Sequence, residues 1–211
     1  MWGRQYYSGL RGNLKKYYLR TVIPLTDRAK KRKQEVSLLG ILFFLSFSLL
    51  SLPAREVIPL VGKEYTERVK EVIEGAKESV LVVMFHMRYY PNHPTSPSNQ
   101  LIESLIRAKR RGVRVRVILD ISPEEKGKYS NLATGKYLSR KGVEVRFDSL
   151  NKTTHSKLVI VDERFVVVGS HNWTYYGLTQ NQETSVLIDS PELAGELIGK
   201  LKEEFLWKDG K

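Results

Sequence analysis

Along this chain the apolar residues recur in two periods, one near 3.6 and one of two, and the alternation between them predicts the elements. Glu64 to Lys77 sets Tyr65, Val69, Val72, Ile73 and Ala76 at helical spacing, with acids toward its start. Ser79 to Phe85 is a continuous apolar run, as a central strand buried on both faces requires. Pro91 to Ser98 holds three prolines and two serines and reads as a loop. Asn99 is placed to cap a helix through Arg111, with Leu101, Ile102, Leu105, Ile106 and Ala108 inward and Gly112 ending it. Val113 to Asp120 alternates, with Val113, Val115, Val117 and Leu119 against Arg114 and Arg116. A short helix and Gly142 precede a strand at Val143 to Phe147. Lys157 to Val161 and Phe165 to Gly169 flank Asp162-Glu163-Arg164, a tight turn. Glu183 to Asp189 predicts a further strand, and Pro191 opens a last helix through Leu206. Helices and strands in this order predict an α/β domain with a mostly buried mixed sheet flanked by helices.

One stretch has neither period. Val36 to Leu52 is uncharged and almost wholly apolar, and Pro53 closes it. A surface helix of a small soluble domain would show a polar face. Seventeen helical residues reach roughly 26 Å, a little short of the ~30 Å hydrocarbon core, so the bilayer must thin or flanking residues must help. The division that follows is a basic tail over 1–36, a transmembrane signal anchor over 37–53, and a catalytic domain over 54–211. The anchor reading competes with a signal peptide cut near Ala54, which would leave an exported protein. Ten Lys/Arg precede the apolar run, whereas only Arg55 and Lys63 follow it closely. That asymmetry predicts a cytoplasmic N-terminus and a domain outside the cytoplasm.

Charge adds less than the total suggests. The net +12 divides into +8 over residues 1–53 and +4 over the rest, so it says little about the partner of the folded part. A composition of 41% hydrophobic and 27% charged residues supplies a core. Cysteine is absent, which excludes disulfides and thiolate zinc sites.

The chemistry concentrates between His155 and Glu183. His155-x-Lys157-x4-Asp162 puts an imidazole and an ammonium two residues apart, hence on the same face of an extended segment, with Val159 and Val161 continuing that face inward. Gly169-Ser170-His171-Asn172 and Asn181-Gln182-Glu183 add a hydroxyl, an amide and a carboxylate. Point charge, directed N–H donors and an imidazole able to attack or shuttle a proton together suit a tetrahedral phosphate. The remaining His and acids lack metal-ligand spacing, and no Gly-rich nucleotide loop is present, so no cofactor is expected.

H-x-K-x4-D followed by G-S-x-N resembles the HKD motif of the phospholipase D superfamily, over roughly Val57 to Trp207. A single motif is similar to the small bacterial endonucleases and the Zucchini-type members. The resemblance implies the same α/β architecture and a metal-independent phosphodiesterase. In it His155 attacks phosphorus to form a phosphohistidine, and Lys157 and Asn172 hold the non-bridging oxygens. Ser170 adds a donor, and Glu183 resembles the family acid that hydrogen-bonds the imidazole. Asp162, at the turn, is expected to be structural.

Three substrate readings follow. An endonuclease on DNA or RNA comes first, with phospholipid headgroup hydrolysis second and a non-catalytic phosphodiester-binding membrane protein third. In-line displacement needs an acid opposite the nucleophile. With one motif per chain, the resemblance implies a homodimer with its active site at the two-fold interface.

The other polar residues carry weaker expectations. Arg107, Lys109, Arg110, Arg111, Arg114 and Arg116 form a basic patch, read either as a solvated helix end or as a phosphate track, with Arg114 and Arg116 as candidate substrate contacts. His86 ends a strand near the pocket or its rim, His93 lies in the Pro-rich loop, and His171, alternating away from Ser170 and Asn172, is expected to face outward.

Overall fold

A computed structural model of the chain describes residues 56–121 and 130–205. The apolar run over 37–53 and the end of the last helix at Leu206 lie outside the described residues, among which no helix is long and apolar enough to cross a membrane.

The elements are β1 (Val57–Val61), α1 (Glu64–Gly75), β2 (Ser79–Met84), α2 (Pro97–Arg110), β3 (Arg114–Leu119), α3 (Asn131–Arg140), β4 (Glu144–Phe147), β5 (Lys157–Val161), β6 (Phe165–Gly169), α4 (Tyr175–Thr179), β7 (Thr184–Asp189) and α5 (Pro191–Glu204). They build one seven-stranded sheet in the order β1-β7-β6-β5-β2-β3-β4. β2, β3 and β4 run parallel, and every other neighbouring pair is antiparallel. The sheet therefore changes character between β2 and β5, and β5 is the strand that begins at Lys157.

Period-2 alternation divides the core between the two faces. Val80, Val82, Met84, Val115, Val117, Val159 and Val161 pack with Val69 and Ile73 of α1 and Leu101, Ile102 and Leu105 of α2. Leu81, Val83, Ile118, Leu158, Ile160 and Val166 pack on the opposite side against Ala194, Leu197 and Leu201 of α5. Central strands with both faces covered must be apolar throughout, and β5 is buried along its whole length.

Three local expectations change. Helix α2 starts two residues before Asn99, with Pro97 in its first turn, where the missing N–H costs nothing. Asn99 instead folds the preceding loop. Its Nδ2 donates to Tyr90 O (2.8 Å) and His93 O (2.9 Å), and its Oδ1 accepts from Tyr90 N (2.9 Å). The edge strand β1 was hidden by the proline in Val-Ile-Pro-Leu-Val, tolerated because only one side of this strand is paired. Helix α4, at five residues, is too short to show a period.

Candidate active site

The C-terminal ends of β2 and β3 and the approach to β5 meet at one end of the sheet. Met84 is opposite Lys157, and Phe85 N donates to Ser156 O (2.8 Å), so pairing extends past the ladder and fixes the residues around His155. The segment after β6 joins the same end: Met87 bridges Trp173 in parallel, Trp173 N donates to His86 O (2.9 Å), and Arg88 N donates to Trp173 O (2.8 Å). Gly169 makes that turn possible, since a Cβ there would stand 2.2 Å from Ser185 Oγ and 2.4 Å from its Cα.

His155 is exposed, with its ring tilted against Phe85 at 4.5 Å between centroids. Beneath it Lys157 is 8% exposed. Its Nζ donates to His155 O (2.7 Å), lies 3.2 Å from His155 Nε2, and stands 4.9 Å from the Phe85 ring centroid. An ammonium only donates, so this contact calls for a lone pair on Nε2 and the proton on Nδ1. Nε2 is then the nucleophilic nitrogen. Burial lowers the Lys157 pKa, and the charge of Glu183 opposes that shift.

Asn172 Oδ1 accepts from His86 N (3.3 Å), which turns the amide N–H2 away from the backbone and leaves it as a donor for a ligand. His86 stacks on Phe85 at 3.8 Å. Burial first, then Arg88, Lys157 and His155, lower its pKa from 6.5 to about 4, so it is neutral at pH 7.

The structure brings His155, Lys157 and Asn172 to one end of the sheet, while other candidates are employed differently. Ser170 is tied to β7: its Oγ donates to Thr184 O (3.3 Å) and accepts from Thr184 N (3.0 Å). The Glu183 carboxylate accepts from Asn181 Nδ2 (3.0 Å) rather than from the His155 ring, and it reaches the cluster through its field on Lys157. Asp162 is at the far end of β5. Its carboxylate accepts from Lys77 N (2.8 Å), Glu78 N (2.8 Å) and Ser79 N (2.9 Å). Burial raises its pKa, but these three amides outweigh burial and the net shift is downward.

Arg114 and Arg116 are not near His155. They pair with Ser79 and Leu81, five and three residues from the level of Lys157, or about 17 and 10 Å at 3.3 Å per residue. There they meet acids, Arg116 Nε with Glu144 at 2.8 Å and Arg114 with Glu163 at 3.7 Å, while Arg107 meets Glu74 at 2.6 Å. Arg111 donates to Ile73 O (3.1 Å). Much of the patch thus serves as balanced surface at the end away from the imidazole.

His171 corrects a further expectation. It does alternate away from Asn172, but that side is the interior, because α1 covers it. The ring is 0% exposed, stacks on Tyr65 at 4.1 Å, and places Nδ1 2.8 Å from Ser185 Oγ. The pKa of His171 is also lowered by burial. Because His86 and His171 bind a proton less readily when folded than when unfolded, their contribution is complete above about pH 6.5 and is lost as pH falls through it. Denaturant midpoints should hold steady from pH 8 to 7 and fall between pH 6.5 and 4.5, before most carboxylates titrate. A flat midpoint over that window would show that neither ring is buried neutral.

Two acids were missed. Asp120, 2% exposed at the end of β3, and Asp148 both accept from the one N–H of Thr154, at 2.8 and 2.9 Å, immediately before His155. Burial raises the Asp120 pKa, the Thr154 amide opposes it, and Asp148 adds to the rise. Through that shared amide the two acids hold the His155 segment in place. An acid at the buried end of an alternating strand was the signal available.

Comparison with known proteins bears on this cluster. Residues 69–207 match the family model described as cardiolipin synthase, PLD-like domain. Phospholipase D of Rickettsia conorii is 33% identical over 130 residues, 61% of this chain and 58% of that protein. Mitochondrial cardiolipin hydrolase of Mus musculus is 33% identical over 113 residues, 51% of this chain and 48% of that protein. The chain thus spans about half to three fifths of the length of these curated relatives. Nuc from Salmonella typhimurium, a phospholipase D family member of known structure, superposes with a TM-score of 0.60 at 27% identity, covering 71% of this chain and 93% of that one. NucT from Helicobacter pylori shares the fold, with a TM-score of 0.58 at 18% identity over 72% of this chain and 96% of that one.

Proposed function

The chain belongs to the phospholipase D superfamily, and from that premise we propose that it is a phosphodiesterase working through a phosphohistidine, with a nucleic acid as its substrate. The observation that carries the chemistry is the 3.2 Å contact between Lys157 Nζ and His155 Nε2. It holds the neutral, nucleophilic tautomer ready, and the ammonium that holds it can move to a phosphate oxygen when substrate enters. Nε2 forms a bond to phosphorus as the bond to the leaving oxygen breaks, and that oxygen takes a proton from an acid on the opposite side. Water then gives a proton to the group that protonated the leaving oxygen and attacks phosphorus, and the phosphorus–nitrogen bond breaks to release His155. Lys157 and the Asn172 amide bear the charge that builds on the non-bridging oxygens.

The opposite acid is the weak point of a single chain. His86 is the other imidazole of the cluster, but with its pKa lowered to about 4 it offers no imidazolium at neutral pH. We therefore assign the acid to His155 of a second copy across a two-fold axis. Sedimentation of the detergent-solubilised full chain should report a dimer, and mixing in excess His155→Ala chains should depress activity faster than dilution. An active monomer would reject this assignment.

Hydrolysis of a phospholipid headgroup is the second reading, favoured by the names of the curated relatives and by the apolar run over 37–53. One assay decides between them: single-stranded DNA, duplex DNA, RNA and phosphatidyl vesicles offered side by side to the full chain in millimolar EDTA. Nucleic acid should be cut and activity should survive the chelator, because Lys157 and Asn172 take the part of a cation. Turnover of vesicles alone would give the second reading, and activity restored only by added metal would reject the mechanism.

A further inference from the structure

Next to the His155 cluster, the loop that leaves β2 and the turn that follows Asn172 enclose a pocket of about 520 Å³. Tyr90, Tyr175 and Tyr176 supply rings to its walls, with His93, Ser96 and Pro97 between them. Tyr175 and Tyr176 stand edge to face, 5.7 Å apart at 86°, and are 46% and 68% exposed. Tyr175 N donates to the Tyr90 hydroxyl at 3.2 Å, which fastens the two walls together.

Ser96 and Pro97 carry the wall of this hollow into helix α2. Ser96 is the N-cap of α2, yet its side chain caps nothing, whereas Ser130 and Ser190 accept from Ala133 N and Leu193 N at 3.1 and 3.2 Å in the same position of their own helices. At 7% exposure its Oγ has no partner among the described residues. Beside it is the positive end of a fourteen-residue helix.

We infer that this pocket holds one unpaired base of a single-stranded nucleic acid, from a nucleotide beside the phosphate that His155 attacks. This rests on the nucleic-acid reading above and narrows it to single strands. Aromatic faces stack on a base of any identity, and Tyr175 and Tyr176 present exposed rings for it. A base inside a duplex keeps its faces covered and could not enter. A quaternary ammonium also favours aromatic walls, but among the described residues no carboxylate lines the pocket, and the helix end opposes a cation. Tyr175 is three positions beyond Asn172, and Tyr90 is four beyond His86. At no more than about 3.6 Å per residue, pocket and scissile phosphate are within one or two nucleotides of each other.

The test uses the full chain and a labelled single-stranded oligodeoxyribonucleotide carrying one base-free residue, moved position by position, with product lengths locating the cut. A base-free residue at one position beside the cut should lower wild-type kcat/KM about tenfold. In the Tyr175→Ala/Tyr176→Ala chain the intact oligonucleotide should already be about tenfold worse, and removal of that base should cost nothing further, the non-additivity of two partners. Tyr175→Phe/Tyr176→Phe, which keeps the rings, should restore the base dependence. Independent, multiplying losses would overturn the inference, as would variants that lose only vesicle hydrolysis. If wild type cuts no nucleic acid, the functional reading fails on its own. Anisotropy of the same oligonucleotides on the His155→Ala chain then judges the pocket: binding that needs both that base and the tyrosines upholds it, and any other result overturns it.

Discussion

His155→Ala should lower phosphodiester turnover by a factor on the order of 10⁴ or more, the scale seen when a covalent nucleophile is removed. Thermal unfolding should scarcely change. The ring is exposed and rests against Phe85 and the Lys157 ammonium, which keeps its bond to the His155 carbonyl when the ring is removed. Binding should survive, because Lys157 and Asn172 still face the phosphate, and the loss should fall on kcat rather than KM. Lys157→Ala should cost about 10² to 10³ in kcat, as removal of a single oxyanion donor does. Single-turnover kinetics with a radiolabelled phosphodiester would show a labelled, acid-sensitive enzyme species in wild type and none in His155→Ala. Near-normal turnover in the variant would reject the mechanism.

Asp162→Ala should act the opposite way, costing on the order of 3–5 kcal/mol of stability while activity per folded molecule persists. Three backbone amides converge on this carboxylate at 2.8–2.9 Å, and a hydrogen bond to a charged group is worth roughly 1.5–3 kcal/mol. Water reaches the Lys77 and Glu78 amides, so the total stays below the simple sum. The backbone adds to the cost: Asp162 sits at φ 51°, where Asp and Asn are tolerated and alanine is strained. Asp162→Asn should be intermediate, keeping one acceptor and the backbone preference. Chemical unfolding of the three chains side by side tests the ranking, and a loss below about 1 kcal/mol for alanine would contradict it. On this account the aspartate of the motif is an architectural residue. It anchors the far end of β5 to the start of β2 so that the near end delivers His155 and Lys157.

What the sequence revealed follows from what each pattern encodes. Strands β2, β3 and β5 were legible because burial on both faces leaves an uninterrupted or cleanly alternating apolar run, and β6 because its four apolar residues follow a tight turn. Pro59 in β1 and the brevity of α4 erased the equivalent signal there. Within the site, a spacing of two placed His155 and Lys157 together without knowledge of any other strand. Alternation reports the face of a sheet and not its end, and that is why Arg114 and Arg116 looked like substrate contacts and proved to be about 10–17 Å away along β3. It also separates sides without saying which one is covered, so His171 was turned correctly but assigned to solvent. Asp120, Asp148 and Thr154 come together only when the end of β3 meets the connection from β4 to β5 at one sheet end, a relation that no local pattern contains.

The change from parallel to antiparallel pairing between β2 and β5 has an evolutionary consequence. Crossovers of the parallel half must travel back along the sheet, so the chain leaving β2 and β3 passes the reaction end before it turns into a helix. In the antiparallel half β5 and β6 are joined by a short turn at the opposite end, while the connection from β6 to β7 comes to the reaction end and brings Asn172 with it. His155 and Lys157 are therefore held at the start of a paired strand, while the walls around them belong to connections free to vary in length. Exchange of residues 89–96 between members of this superfamily should move substrate preference while the nucleophile keeps its place. A single scaffold can in this way pass from one phosphodiester to another by rewriting a loop.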